Sequence, residues 1–338
     1  MELSARAFFV IVLCAGFASA QSSPAPNEDR VFSFTYTSAP QQMQEIATVI
    51  RSIGELNDLS VDVGQKQLSL HGSSDQIALA TWLFRELDRP GNQEPSNRTE
   101  PPREYRMAID GDNVVRVFYL PYTKTIQELQ EVATAVRSTS NIRRMFTYNA
   151  PHVVITRSTS EQASLADWMF NEFGKASDSM PRTYQLAPND AVCVFHMTTP
   201  PTAEDMVEVI TLMRSITETR TVFSYNEGNV FAIRGSADQT AVIAWLVNEL
   251  DQAVHEAPSN EYHLVQGNDN VVRVFYLPNT ATVADFQQVV ASVWRKTGMR
   301  RVLTYNRPRA VVFRGTPAQM DQAAQLLAET RSNIPAVP

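Results

Sequence analysis

A ten-residue phrase, DNVVRVFYLP, occurs at Asp112–Pro121 and again, unchanged, at Asp269–Pro278. The match continues downstream. Arg143-Arg144 and Thr147-Tyr148-Asn149 return as Arg300-Arg301 and Thr304-Tyr305-Asn306. A third unit carries Val194-Phe195 and Ser224-Tyr225-Asn226. A fourth and more divergent one stands at the front. Shifted by 86 residues, Val31–Asp88 aligns on Val117–Gly174 without a gap, and 18 of the 58 positions are identical, among them Glu45/Glu131, Arg51/Arg137, Gln76/Gln162 and Trp82/Trp168. Such a chain folds as an array of like units. The period of about 80 residues exceeds the 20–50 of solenoids, which predicts that each unit is a small domain with its own core. The expected units span 30–88, 103–173, 182–251 and 261–330. Linkers fall at Arg89–Pro102, Gly174–Pro181 and Gln252–Asn260, rich in Pro, Ser, Gly and Asn.

Ahead of the array, residues 1–20 read as a secretory signal peptide: Arg6, then the apolar run from Ala7 to Leu13, then small residues at Ala18 and Ala20. Cleavage there leaves Cys193 as the one cysteine, so no internal disulfide framework forms, and its apolar neighbours Val192 and Val194 predict a buried, inert thiol. A formal charge of −7 argues against general nucleic-acid binding. The expected location is therefore outside the cytosol, periplasmic or extracellular, with no transmembrane segment in the mature chain.

The second unit shows the local plan. Tyr105–Ile109 is a strand, Asp110-Gly111-Asp112-Asn113 a turn, and Val114–Leu120 a β-branched and aromatic strand. Thr125 and Glu128 fit a capping box that opens a helix with Leu129, Val132, Ala133 and Val136 on one stripe. Arg144–Asn149 and Val153–Thr156 form a hairpin, and a second helix begins near Ser160 with Leu165, Trp168, Met169 and Phe173 on one side. The order is strand-helix-strand-strand-helix, with an extra leading strand in the last three units. Two single-striped helices need a sheet to cover, which predicts an α+β fold of four tandem two-layer units, both helices on one face of a small mixed sheet. Trp82, Trp168 and Trp245 lie on the apolar stripes and are expected to be core plugs. The last unit has Gln325 there and Trp294 on its first helix, so a repacked core is expected.

This order resembles the KH-like, NolW-type N-terminal domain repeats of bacterial secretins. The residues that carry the likeness are Val117-Phe118-Tyr119-Leu120, Leu56–Val63 with Leu68–Gly72, and the helix endings Glu86-Leu87-Asp88 and Glu249-Leu250-Asp251. The resemblance implies periplasmic placement and packing of modules against other proteins of a secretion or pilus system. It implies no channel, because the long series of alternating β segments of a secretin pore domain is missing from the sequence.

No catalytic, cofactor or metal constellation is expected. The five histidines form no i, i+3 or i+4 pair, and nucleophile-elbow, zincin, P-loop and Rossmann patterns are all missing. A KH module that clamps RNA needs a G-x-x-G loop, and no unit has one. Five arginines, Arg300, Arg301, Arg307, Arg309 and Arg314, cluster on the last hairpin. They are either an ordinary solvated edge or an electrostatic patch that docks on an acidic repeat of another copy or an anionic polymer. The expected function is that of a non-catalytic scaffold or adaptor acting through protein–protein contact or self-association. The alternative is a periplasmic glycan- or peptide-binding module using the Tyr-Asn hairpins at Tyr148, Tyr225 and Tyr305.

Overall fold

A computed structural model of the chain describes residues 27–333, apart from 96, 98–99, 176–179, 200, 252–260 and 266. The signal peptide and the third linker lie outside the described residues. Unit 1 comprises β1 (Asn27–Ser33), α1 (Pro40–Gly54), β2 (Asp58–Asp62), β3 (Gln67–Ser73) and α2 (Ser74–Leu87). Unit 2 comprises β4 (Arg103–Arg106), β5 (Val114–Tyr119), α3 (Ile126–Ser140), β6 (Arg144–Tyr148), β7 (Val153–Ser158) and α4 (Ser160–Phe173). Unit 3 repeats that order with β8 (Arg182–Ala187), β9 (Asp190–His196), α5 (Ala203–Thr217), β10 (Thr221–Tyr225), β11 (Val230–Gly235) and α6 (Ala237–Leu250). Unit 4 does so with β12 (Glu261–His263), β13 (Val271–Tyr276), α7 (Val283–Thr297), β14 (Arg301–Tyr305), β15 (Ala310–Gly315) and α8 (Pro317–Asn333).

The fold is mixed α and β, with four small sheets and eight helices among the described residues. The sheet orders are β1-β3-β2, β4-β5-β7-β6, β8-β9-β11-β10 and β12-β13-β15-β14. The described pairings are antiparallel, where a mixed sheet was expected. The reason is the connection: the helix after β5, β9 or β13 carries the chain over the sheet to its far edge, and the hairpin then returns the last strand into the gap, antiparallel to both neighbours.

Local chemistry sets the helix ends. Ser73, Thr159 and Ser236 cap α2, α4 and α6 in full capping boxes with Gln76, Gln162 and Gln239. The same glutamines also donate to the last carbonyls of the unit's first helix, Gln162 to Asn141 at 2.8 Å and Gln239 to Thr217 at 3.0 Å. At α3 the expected box is only half formed. Thr125 accepts from the Glu128 amide, but Glu128 reaches back to the Lys124 amide. Arg51 and Arg137 tie each first helix to its hairpin, donating to Leu59 and Met145 carbonyls at 2.8 Å.

The cores do not respect the unit boundaries. The apolar faces of α1 and α2 meet their own sheet on one side. On the other they meet Val115, Val117, Tyr119, Tyr148, Val153 and Ile155 of unit 2. Unit 2's helices are likewise covered by Val192, Val194, Tyr225, Val230 and Ala232 of unit 3. Unit 3's helices are covered by Val272, Val274, Tyr276, Tyr305, Ala310 and Val312 of unit 4. The expectation of self-contained domains is thus corrected: sheet and helix layers alternate along the array, and each inner sheet is buried on both faces. Period-two alternation produces this directly, because in β5 Val115, Val117 and Tyr119 point back to unit 1 while Phe118 points to unit 2's own helices.

The recurrent tryptophans also belong to this plan. They are half-buried instead of plugging their own unit's core. Trp82 packs on Tyr105 of β4 at 5.5 Å, Trp168 on Tyr184 of β8 at 5.4 Å and Trp245 on Tyr262 of β12 at 5.5 Å. The leading strand therefore brings the Tyr that covers the preceding Trp. Unit 4 has Gln325 at the Trp position, and Trp294 does not refill its core: it is 50% exposed, its indole N–H donating to the Met299 carbonyl at 2.8 Å. A double-mutant cycle checks the pairing. Trp168→Ala and Tyr184→Ala, measured by urea unfolding, are expected to couple by about 0.5–1.5 kcal/mol. Additive effects would place Trp168 in the core of unit 2 alone.

Candidate interaction surfaces

Three polar devices join the units. The first is an arginine near the end of the last strand of each inner sheet. Arg157 Nη1 donates to the Ile53 carbonyl at 2.8 Å, Arg234 Nη1 to the Thr139 carbonyl at 3.2 Å and Arg314 Nη1 to the Ile216 carbonyl at 2.6 Å. Each thus caps the carboxyl end of the preceding unit's first helix, where a cation is favoured. The second device is the residue that ends that helix. Glu55 and Glu218 sit at φ of 55° and 59°, in the left-handed region that costs non-glycine residues energy. Their carboxylates are used: Glu55 receives Arg144 and Arg157, and Glu218 receives Arg301 and Arg314. The corresponding residue of unit 4 is Gly298, φ 63°, the residue that takes this conformation at least cost. The third device is a carboxylate–amide clamp. Glu45 accepts from the Asn149 backbone N–H at 3.0 Å and its side chain at 3.1 Å, and Glu208 holds Asn306 in the same way.

These bonds place the residues singled out from sequence. Arg301 and Arg314 are spent on unit 3 of the same chain and on Asp269, Arg307 approaches Asp205 at 3.5 Å, and Arg309 donates to the Asn306 carbonyl at 2.7 Å. Arg300 is exposed. Within the chain, Arg301, Arg307 and Arg314 thus meet acidic side chains of the preceding unit, Glu218 and Asp205. The Tyr-Asn hairpins are junction parts as well. Tyr148, Tyr225 and Tyr305 are all buried beneath the preceding helix layer. Burial pushes the Tyr148 hydroxyl up to about 12, and burial with the Asp205 charge does the same for Tyr305. Tyr225 is raised by burial and by its bond to Glu128, onto which it donates at 3.0 Å. Burial works against ionisation of Glu128, yet the Lys124 amide, the Tyr225 hydroxyl and Thr125 outweigh it and lower its pKa. Cys193 is buried, and burial raises its thiol. Among the described residues no three His, Cys, Asp or Glu side chains converge as for a metal ion.

The middle junction differs from the other two. Asn141 stands where Glu55 and Glu218 stand, and Thr221 where Arg144 and Arg301 stand. Glu131 takes its hydrogen bond from Gln127 of its own helix instead of an asparagine. A groove of about 550 Å³ opens here between α3 and α5, lined by Gln127, Gln130, Glu131, Val207, Arg214 and Phe223. Val207 is 64% exposed within it. Sequence reasoning missed this groove, whose only trace is an apolar residue at an exposed helix position. It also missed Glu55, Glu218, Arg157 and Arg234, whose signal was recurrence at one register.

No protein-family model matches the chain, and no curated protein matches it in sequence. Among solved structures it is similar to secretin proteins. With Aeromonas hydrophila ExeD it shares 16% identity at a TM-score of 0.16, over 68% of this chain and 42% of that one. With the N-terminal domain of the secretin XcpQ from Pseudomonas aeruginosa the values are 15% and 0.18, over 46% and 70%. With the type II secretion system secretin GspD of E. coli K12 they are 17% and 0.15, over 65% and 39%. At such scores the chains do not superpose as wholes. No helix among the described residues is long and apolar enough to cross a membrane.

Two outcomes check the junction chemistry. Arg157→Met keeps much of the apolar stem but removes the donor to the Ile53 carbonyl and leaves Glu55 with Arg144 alone, and is expected to cost about 1–3 kcal/mol in urea unfolding; a change within error would contradict the clamp. The buried tyrosines hold their protons more tightly folded than unfolded. Their contribution is therefore full below pH 10 and is lost as pH rises from 10 to about 12. The urea midpoint should fall across that window, and less steeply in Tyr148→Phe.

Proposed function

We propose that this is a non-catalytic, exported envelope protein: an array of secretin-N-like modules that acts as a scaffold or adaptor through protein–protein contact, in a secretion or type IV pilus system. One observation carries the reading. The side chains that recur from unit to unit are spent on joining one unit to the next or bracing each unit internally. The chemistry under repetition is therefore the chemistry of building a stiff multilayered body. Repetition multiplies contact surface, and a protein whose task is to span or bridge gains from that. The order of elements and the Leu-Asp helix endings support the module type. Asp88 and Asp251 each accept backbone N–H groups of the loop before the first helix, Asp88 from Thr35 and Thr37 at 2.7 Å and Asp251 from Thr198 at 2.6 Å. Those endings thus brace the unit from within.

The groove between α3 and α5 is the place where this body offers a recess with an exposed apolar residue. A second reading, capture of a glycan or peptide, rests on the same groove with its Gln and Thr side chains and Glu131. Cross-linked affinity capture from the native envelope tests both. Secretion or pilus components are expected with the full chain and are expected to be lost with Val207→Arg while the melting temperature stays within about 1 °C. Glycan recovered without protein would replace the scaffold reading by the second one.

A further inference from the structure

The two ends of the array carry faces that are elsewhere covered. At the front, the outer side of the β1-β3-β2 sheet corresponds to the sheet faces that receive a helix layer in units 2–4. Under the shift of 86, the buried Val115, Tyr119, Tyr148 and Ile155 become Asp29, Ser33, Asp62 and Ser69. The central Val117 stays apolar as Val31, now 55% exposed. The two clamping arginines change most: Arg144 becomes Asp58, and Arg157 becomes His71. Strand register sets Asp29 and Asp58 on either side of His71, with His71 Nδ1 2.8 Å from Asp29.

At the back, the outer side of α7 and α8 corresponds to the covered helix faces. Val49 becomes Ser292, Leu79 becomes Gln322, and Ile53, whose carbonyl receives Arg157, becomes Lys296. Glu55 becomes Gly298. Val289 and Leu326 remain, half-buried, at the positions of Ile46 and Leu83. Asp321 takes the place of the exposed Ala78, outside the contact, and Glu329 takes the place of Glu86 at its rim.

Terminal units of any array need polar outer faces. That need sets polarity and not sign. Here the sheet face has Asp58 where Arg144 stands at the first junction, and the helix end has lost the Glu55 carboxylate to Gly298 and gained the cation Lys296 in place of Ile53; the outer sheet face is thus anionic and the outer helix end cationic. We propose that unit 4 of one copy docks on unit 1 of a second copy in the geometry of the internal junctions, with Lys296 against Asp58 and Asp29 and with Val31 against Val289 and Leu326. The contact is heterologous and does not close, so copies line up head to tail. It lacks most of the burial of the internal junctions and depends on charge, which makes it weak and salt-sensitive. This names one partner within the scaffold reading.

Sedimentation velocity of the full chain, from micromolar to about 1 mM and at about 20 and 500 mM salt, is the test. The expected result is a weight-average coefficient that rises with concentration in low salt and stays monomeric in high salt. Lys296→Glu or Asp58→Lys alone should weaken association about tenfold or more, and the two together in one chain should restore it. Both positions are exposed, so thermal melting of each variant should match the parent. A parent that stays monomeric at about 1 mM in low salt, or single variants that associate like it, would overturn the proposal. A monomer that still captures envelope proteins overturns this contact and leaves the scaffold reading standing, whereas association without capture does the reverse.

Discussion

Everything in this chain depends on helix layers that are apolar on two sides. A unit of about 70 residues buries too little surface to be robust alone. Laying the next unit's sheet over its helices removes a second apolar face from water, at about 25 cal/mol per Å². That single choice turns β5, β9 and β13 into strands buried on both faces and explains why VVRVFYL reads as nearly unbroken apolar sequence. It also ties each unit's stability to its successor.

Apolar layers alone would slide. Register along the array comes from directional groups at the rim: the arginine on the helix carboxyl end, the glutamate ending that helix, the Glu-Asn clamp and the Trp-Tyr contact. Their geometry is repeated closely at the first and third junctions. Glu55 and Glu218 accept an unfavourable left-handed backbone while their carboxylates receive arginines of the next unit, and at the same position in unit 4 Gly298 takes that conformation without a side chain.

The second junction keeps the shared core and the Trp168–Tyr184 contact but exchanges the charged pairs for Asn141 and Thr221. Tyr225 instead sends its hydroxyl to Glu128. At the turn below it stands Gly228, where a Cβ would lie 2.7 Å from the Tyr225 ring. The groove between α3 and α5 opens at this same junction. The same four-fold scaffold thereby gains one place unlike the others.

Sequence alone determined the repetition, the element order, Thr125 as the cap of α3 and the burial of Cys193, because these depend on short-range patterns: period two, period 3.6 and residues three apart. Unit-by-unit reading could not decide which side of an apolar strand faces which neighbour. Trp168 on a helical stripe looks the same whether it fills its own core or meets Tyr184 sixteen residues on, and the arginines of the last hairpin look like a free patch until Glu218 is seen beside them. The trace was present in one comparison, between the alternating, polar β1 and its continuously apolar counterparts. Only the tertiary structure decided that the four units share cores, because that outcome rests on the long-range match between one unit's helix face and the next unit's sheet.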